Sequence, residues 1–409
     1  MATTVARSLH RYGIAVDVAT FSAIEPRIRS NSVRHFFRVP DPDVSQDDFV
    51  TALSRLIQQY GHDLLIPGND VALTAIAENY DHFDALLKLA CPSPHVVERV
   101  LNKEITLAIA SQCGLETPRS VLLANTHQLP ELAREVGFPC VIKPGQKQRV
   151  EDFKTRVVRD HNDIARSFPE PREFSPPMLL QESCPGVGVG LEILMHEGKC
   201  LAVFQHRRIK EYPHAGGVAV LAVAETPGPA LVDASTRLLQ ALEWDGVAMV
   251  EFRVDPSTGR AVLMEVNGRI WGSISLPVLA GMDFPLYTWQ LSQGQEPHVP
   301  EHYAVGTRWR WTAGYLQRLN GLILAKLKGR ASGSLIRELW DLRSDFGGST
   351  RDSLWNLRDP MPAIYELLTT VRAIVIFDIK AMITECSRRL VPGRRLAEGP
   401  LKRPAEPNL

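Results

Sequence analysis

The chain has 409 residues, 44% of them hydrophobic, so it can bury a large core and is too long for one compact unit. Lysine and arginine together number 46, as do aspartate and glutamate. The chain therefore lacks the basic excess that is typical of nucleic-acid-binding proteins, and we assign no nucleic-acid role. The six cysteines form no Cys-x-x-Cys pair and no secretion signal opens the chain, which argues against a zinc site and a disulfide framework and favours the cytoplasm.

The first hundred residues alternate between strand-like and helical segments. We predict strands over 14–19 and 63–67, and helices from about 46 to 60 and from about 71 to 79. Such alternation is typical of a parallel sheet with crossover helices.

A second group of elements follows from about residue 102. Asn102 to Asn125 reads as a helix and then a strand, and a helix over 129–137 leads into an apolar strand that carries Lys143 near its end. A further strand ends in Gln181-Glu182. We expect the glycine-containing run after it, 183–190, to be a flexible loop.

A cationic run follows a predicted hairpin of residues 191–205. On a strand, neighbouring side chains face opposite ways, so only one of Arg207 and Arg208 can reach a given site. We choose Arg208, which would share a face with His206 and Lys210. The alternative is a charged sheet edge that prevents aggregation.

Two strands, 247–253 and 262–267, read as an antiparallel hairpin around the turn 255–259. Glu265 and Asn267 share a face of their strand, and pairing across the hairpin could place Glu251 opposite Glu265. Oxygen ligands of this kind suit Mg²⁺, and without a cation they would repel or stay unsatisfied. The alternative is an ordinary hairpin whose polar face meets water.

Taken in order, these motifs resemble the ATP-grasp superfamily over about residues 100–290. The segments 206–213 and 265–273 are similar to a group of predicted bacterial carboxylate-amine ligases, whose substrates are mostly unassigned. The resemblance implies an α/β fold with α+β lobes, the ATP-grasp fold, preceded by a parallel α/β domain and followed by a helical extension. The implied parts are 1–98, the amino-terminal pre-ATP-grasp domain; 99–182, the small nucleotide-clamping lobe; 183–300, the large lobe with the metal site; and 301–409, the carboxy-terminal extension with a basic tail.

Two departures from the family pattern stand out. The family's first domain opens with a strand, whereas residues 2–13 read as a helix ended by glycine; we favour a start codon placed too late over a domain without that strand. The loop after Lys143, residues 145–152, contains one glycine, whereas this loop is rich in glycine in many members of the family. Lys147 and Arg149 could supply charge in their place, and a solvated basic loop is the alternative.

The resemblance also implies an activity and a role for each motif residue. We expect a ligase that uses ATP and Mg²⁺, with Mn²⁺ as a substitute, to activate a small carboxylic acid as an acyl phosphate and join it to an amine. A non-catalytic ATP-binding regulatory or scaffold protein and a small-molecule kinase are the alternatives. The implied roles are Glu251, Glu265 and Asn267 for the metal; Lys103 and Lys143 for phosphates; Gln181 and Glu182 for adenine; Glu192 for ribose; Arg269 for the acyl phosphate or substrate carboxylate; and Arg208 for the transferred group.

The carboxy-terminal third offers weaker signals. Arg308 to Trp311 alternates arginine and tryptophan, which predicts packed tryptophans and a solvated arginine face. The apolar segment 371–383 would rise only about 20 Å as a helix, too little to span a hydrocarbon core of about 30 Å. We favour packing on the core over docking on an anionic membrane surface. A homodimer is a further option.

Overall fold

The computed structural model describes residues 1–21, 30–145, 155–213, 216–327 and 335–390, with side chains described up to residue 376 in the last helix. Its helices are α1 (Ala2–His10), α2 (Gln46–Tyr60), α3 (Asp70–Glu78), α4 (Tyr80–Asp84), α5 (Pro94–Leu101), α6 (Lys103–Gln112), α7 (Leu129–Val136), α8 (His161–Ser167), α9 (Pro229–Ala241), α10 (Ser275–Ala280), α11 (Phe284–Ser292), α12 (Thr312–Leu327), α13 (Leu335–Asp345) and α14 (Met361–Leu390).

The strands fall into separate sheets. They are β1 (Val18–Thr20), β2 (Phe36–Arg38), β3 (Leu64–Leu65), β4 (Lys88–Leu89), β5 (Ser120–Asn125), β6 (Cys140–Pro144), β7 (Arg156–Val158), β8 (Glu173–Glu182), β9 (Val187–His196), β10 (Lys199–Tyr212), β11 (Val218–Glu225), β12 (Gly246–Val254), β13 (Ala261–Asn267), β14 (Arg308–Arg310) and β15 (Thr350–Asp352).

The amino-terminal region has the parallel α/β character that the sequence predicts. Helix α2 is capped by the Ser45 side chain, which accepts from the Asp48 amide, and it ends at Gly61 with a left-handed φ of 63°. In the described residues, however, the strands form two parallel pairs, β1 with β2 and β3 with β4, where we expected a single sheet. With two or three residues each, these strands are too short to specify wider pairing.

The predicted elements of the small lobe are confirmed as a four-stranded antiparallel sheet in the order β5-β8-β6-β7. Helix α7 packs Leu129, Ala133 and Val136 into the core beneath it. This spacing of three and four residues places all three on one face of the helix. The sheet therefore holds the Lys143 strand, β6, in the middle between β8 and β7.

The larger sheet has the order β13-β12-β9-β10-β11-β14-β15. Alternate residues of β9 enter two different cores: Leu191 and Ile193 pack against the amino-terminal region and α9, whereas Leu194 packs against α10 and α11. This alternation is the period-two pattern of a strand that is buried on both faces. The predicted metal hairpin lies at one edge of the sheet, and the chain beyond residue 300 contributes the other edge.

The glycine-containing run 183–190 is not the loop that we expected, because Val187–Gly190 forms the first part of β9 and pairs with β12. A Cβ at Gly188 would lie 2.6 Å from Cδ of Arg208, and one at Gly190 would lie 2.3 Å from Cε1 of His206. These glycines therefore make room for side chains of the neighbouring strand, a packing role that the sequence does not distinguish from flexibility.

The predicted tryptophan packing is confirmed, since Trp309 and Trp311 are 2% and 7% exposed. The prediction of a solvated arginine face is wrong for Arg310. Its guanidinium lies 3.8 Å from the ring centre of Phe346 and donates to the Asp345 carbonyl at 2.7 Å. Among the residues that the structure describes, no helix combines the length and the apolar character needed to cross a membrane.

Candidate functional site

The hairpin of β12 and β13 has the predicted register. Glu251 lies opposite Glu265, and Met249 lies opposite Asn267. A bulge beside the glutamate pair makes Met264 an extra residue, so that Val266 and Leu263 both enter the core while Glu265 and Asn267 stay together on the other face.

These three side chains converge. The Asn267 amide nitrogen lies 2.8 Å from Oε1 of Glu251 and 3.3 Å from Oε1 of Glu265, and Asn267 is 2% exposed. Rotating the amide by half a turn would exchange its nitrogen for its oxygen and leave three oxygen donors facing one point. Such a set fits a hard divalent cation such as Mg²⁺, so the residues present are compatible with the metal that the motif implies.

Two cationic side chains border this acidic cluster. Nζ of Lys103 lies 3.6 Å from Oε2 of Glu265, and Arg208 forms an ion pair with Glu251. Burial opposes the charge of Arg208, but Glu251 and Glu211 outweigh it and raise its pKa. The site therefore keeps a charged guanidinium beside the candidate metal ligands at any physiological pH.

The prediction for β10 is only partly right. Arg207 and Arg208 do face opposite sides, and Arg207 pairs with Glu225 on β11. Lys210, however, does not stay with Arg208, because the β10–β11 register shifts between these two residues. Its place beside Arg208 is taken by Glu211, whose Oε1 lies 3.5 Å from the guanidinium.

The two lysines predicted to bind phosphate lie on connected elements. Lys103 is the first residue of α6, and its backbone N–H donates to the Gly145 carbonyl at 3.0 Å, just past the end of β6. Lys143 lies on β6 opposite Leu179. The amino terminus of α6 thus meets the Lys143 strand, although the loop beyond residue 145 lies outside the described residues, Lys147 and Arg149 included.

Gln181 and Glu182 end β8 with their side chains engaged inside the small lobe. Gln181 is 1% exposed and donates to Oγ of Ser120 at 2.9 Å, while Glu182 accepts from Arg119 at 2.9 Å. Both side chains would therefore have to leave their present partners in order to contact a base.

Glu192 forms a buried pair with His206. Oε1 of Glu192 lies 2.6 Å from Nδ1 of His206, and the two side chains are 0% and 1% exposed. Burial raises the pKa of Glu192, against the lowering effect of the histidine. The other oxygen of Glu192 and Nε2 of His206 have no hydrogen-bond partner. Each retains the capacity to bind a further polar group.

We expect Gly190→Ala to destabilise the protein, because its methyl group would force the His206 ring away from Glu192. Overpacking of this kind costs about 1–3 kcal/mol, and it would be measured as a lower urea midpoint at unchanged slope. Gly348→Ala, where no atom lies within 4 Å of the added Cβ, is the control. Equal midpoints for the two variants would show that the ring accommodates the methyl group.

Arg269 lies two residues beyond Asn267 and contacts the amino-terminal region. Its Nη2 is 3.2 Å from Oδ2 of Asp70, the first residue of α3, and its Nη1 donates to the Ile270 carbonyl. The nearby Trp271, Ser273 and Ser275 are all buried, and Ser275 accepts a hydrogen bond from Trp309.

Two charged residues near the site were not predicted from the sequence. Glu211 lies between Arg208 and Arg253, and Asp70 faces Arg269. Asp70 follows a short parallel strand, and the carboxyl ends of such strands are where α/β folds place ligands, which is the signal that could have identified it.

An acidic hairpin bordered by lysine and arginine side chains is the arrangement that the resemblance to the ATP-grasp superfamily implies, and comparison with known proteins finds the same likeness over part of the chain. Residues 174–314 match a family model described as ATP-grasp in the biosynthetic pathway with Ter operon. Carbamoyl phosphate synthase large chains are similar in sequence. That of Xylella fastidiosa is 24% identical over 257 residues, 58% of this chain and 24% of the relative. That of Thermus thermophilus is 27% identical over 173 residues, 40% and 17% of the two chains. This chain thus spans about a quarter or less of the length of these relatives.

Solved structures share the fold. N5-carboxyaminoimidazole ribonucleotide synthetase in its ADP complex has a TM-score of 0.60 at 16% identity, covering 79% of this chain and 83% of that one. L-amino acid ligase from Bacillus licheniformis has a TM-score of 0.56 at 18% identity, covering 71% of each chain. Biotin carboxylase from Campylobacter jejuni, in its beta-gamma-ATP complex, has a TM-score of 0.58 at 14% identity, covering 75% of this chain and 72% of that one.

Proposed function

We propose that this chain is an ATP- and Mg²⁺-dependent ligase that joins a carboxylic acid to an amine. The observation that carries the proposal is the convergence of Glu251, Glu265 and Asn267 next to Lys103 and Arg208. An oxygen-donor set bordered by cations suits a metal-bound polyphosphate. The names of the structural relatives, which include an amino acid ligase and an ADP-bound synthetase, support the same class of reaction.

The proposed roles follow from the positions of the residues. Lys103 and Lys143 would bind phosphates, and the hinge around Gln181 and Glu182 would receive adenine. The unpaired oxygen of Glu192 is a candidate acceptor for a ribose hydroxyl. When bound to Glu251, Glu265 and Asn267, Mg²⁺ would neutralise charge on the phosphate oxygens.

The chemistry needs activation because a carboxylate has only oxide as a leaving group. Transfer of the γ-phosphoryl group of ATP to the acid gives an acyl phosphate and ADP. Attack by the amine then forms the amide and releases phosphate, and the amine nitrogen loses a proton. Arg269 would hold the carboxylate, and Arg208 would stabilise the phosphoryl group during transfer. In this scheme no protein side chain acts as the nucleophile.

The test is ADP release by the purified chain with ATP and Mg²⁺ across a panel of carboxylic acids, each with and without an amine acceptor. A ligase releases ADP only with an acid and releases more with the amine. A kinase would leave a stable phosphorylated product. Tight ATP binding without ADP under every mixture would overturn the proposal in favour of a regulatory or scaffolding role.

We also propose that the chain is divided into four parts, 1–98, 99–182, 183–300 and 301–409. The small lobe, 99–182, would close over the nucleotide. The proposed assembly is a homodimer. We assign the activity to the cytoplasm, since it consumes ATP and since the described cysteines are free thiols.

We further propose that the carboxy-terminal region contacts an anionic membrane surface. Helix α13 turns its acidic face toward the protein, and Ile336, Leu339 and Trp340 on its outer face are 68%, 54% and 76% exposed. Arg343 is exposed one turn after Leu339. An apolar stripe with a neighbouring cation and an exposed tryptophan is typical of peripheral membrane helices.

We expect the wild-type chain to sediment with phosphatidylserine vesicles and Trp340→Ser to sediment less. Neutral vesicles are the control for charge. Equal sedimentation of both proteins would show that this face does not bind the vesicles. Concentration-dependent dimerisation that Trp340→Ser abolishes would assign the face to a second copy of the chain.

A further inference from the structure

The contact between Asp70 and Arg269 joins the amino-terminal region to the end of the metal strand. Arg269 is 10% exposed and Asp70 is 21% exposed, and 199 residues separate them in the chain. Asn69 caps α3 through its side chain, which accepts from the Ala72 amide at 2.8 Å, so Asp70 is not needed for that cap.

Both charged groups are only partly satisfied. Nε of Arg269 and Oδ1 of Asp70 are buried without a hydrogen-bond partner. A guanidinium has five donor hydrogens and a carboxylate can accept about four hydrogen bonds, so the bond from Arg269 to the Ile270 carbonyl and the contact between the two charged groups leave more than half of this capacity unused. It is unfavourable to leave buried charged groups without hydrogen-bond partners, so a ligand that supplied these partners would bind there.

A ligand that satisfies both groups must itself carry both charges. A carboxylate would bind the guanidinium of Arg269, and an ammonium group would bind the carboxylate of Asp70. Because Asp70 and Arg269 are in direct contact, the two charges of the ligand must also be adjacent. In an α-amino acid a single carbon separates the carboxyl carbon from the nitrogen, whereas ω-amino acids hold the charges further apart.

We propose that the acid activated at this site is an α-amino acid with a free amino group, and that Asp70 is the residue that selects it. This inference rests on the proposed ligase function. An ammonium group paired with Asp70 has no lone pair, so it cannot attack the acyl phosphate of its own molecule or of a second one. The amine of the second substrate, which is not held by Asp70, supplies the nucleophile and loses the proton.

The experiment uses hydroxylamine as the amine, since it traps any acyl phosphate as a hydroxamate and so separates selection of the acid from selection of the natural acceptor. Each α-amino acid is compared with its N-acetyl derivative and its des-amino analogue, with β-alanine and γ-aminobutyrate as spaced controls. We expect kcat/KM for the preferred free α-amino acid to exceed that of its N-acetyl form by about tenfold to hundredfold, the usual value of a charge-assisted hydrogen bond.

Asp70→Asn keeps the shape of the side chain and removes its charge. We expect it to lower kcat/KM for the free amino acid by about tenfold to hundredfold, mainly through KM, and to abolish the preference over the N-acetyl form. Asp63→Asn, an exposed aspartate just before β3, is the matched control. If Asp70 only tied the two regions together, its substitution would lower the melting temperature and reduce all acids equally, which would overturn the proposal.

Failure of the inference is distinguishable from failure of the ligase proposal. If hydroxamate formed equally well with and without a free amino group on the acid, the ligase proposal would stand and the selection by Asp70 would be excluded. In a parallel binding measurement with ATP and Mg²⁺, amino acids should raise the melting temperature of the wild type but not of Asp70→Asn. Such a rise in melting temperature without any ADP release would support the amino-acid site and exclude the ligase activity. If no amino acid raised the melting temperature and no turnover were found, both proposals would be overturned.

Discussion

Replacing Glu265 by alanine is expected to reduce ADP formation by about 10²-fold or more while leaving the fold intact. The substitution removes one of two carboxylates that converge on Asn267, and lost stabilisation of charge in a transition state typically costs this much. Stability should change little, because relief of the repulsion between Glu251 and Glu265 offsets loss of the contact between Glu265 and Lys103. The measurements are initial rates of ADP release and a thermal melt.

The control for Glu265→Ala is Glu296→Ala, which removes an exposed glutamate outside the site. Raising Mg²⁺ should partly restore the rate of the Glu265 variant, since a weakened metal site saturates at higher concentration. Unchanged turnover in Glu265→Ala would exclude the metal assignment. A loss of activity that accompanied unfolding would show that the glutamate supports the hairpin itself.

The second large effect is expected from Lys210→Met. Nζ of Lys210 lies 3.0 Å from Glu338, 3.1 Å from Asp341 and 2.7 Å from Asp345, and it also contacts Tyr315. These partners outweigh burial and raise its pKa. Removing the cation leaves three carboxylates close together, but Arg318 still pairs with Glu338 and Arg308 with Asp345, so we expect a cost of about 3 kcal/mol, the lower end of the range for a broken buried ion pair.

We expect this variant to expose the carboxy-terminal region to limited proteolysis and to lower the melting temperature. Lys199→Met, on the exposed end of the same strand, is the control. Adding Asp345→Asn to Lys210→Met should cost less than the sum of the two single changes, because both disrupt one ion-pair network. Strict additivity would show that Lys210 and Asp345 act independently.

Local patterns predicted much of the fold and part of the site. The turn after Val254 and the alternation on both sides of it were sufficient to place Glu251 opposite Glu265. The helices α2 and α3 were found within a residue or two from capping and periodicity. Such features depend on neighbours in the sequence, and one chain is enough to read them.

Other features depend on partners distant in the chain. A bulge in β10 separates Lys210 from Arg208, and nothing in the residue types between them marks the extra residue. Gly188 and Gly190 look like a flexible segment until the side chains that cover them are known. Asp70 and Arg269 meet only because the amino-terminal region packs against the large sheet.

The strand order of the large sheet has a practical consequence for shortened versions of the protein. A fragment that ended at residue 300 would lack β14 and β15, and β11 would become the edge of the sheet. Its main-chain groups and buried residues such as Val220 and Ala222 would then meet solvent, along with the space left by Trp309. Open edges of this kind pair with other chains, so such a fragment should aggregate, whereas one that extends past Asp352 keeps both closing strands.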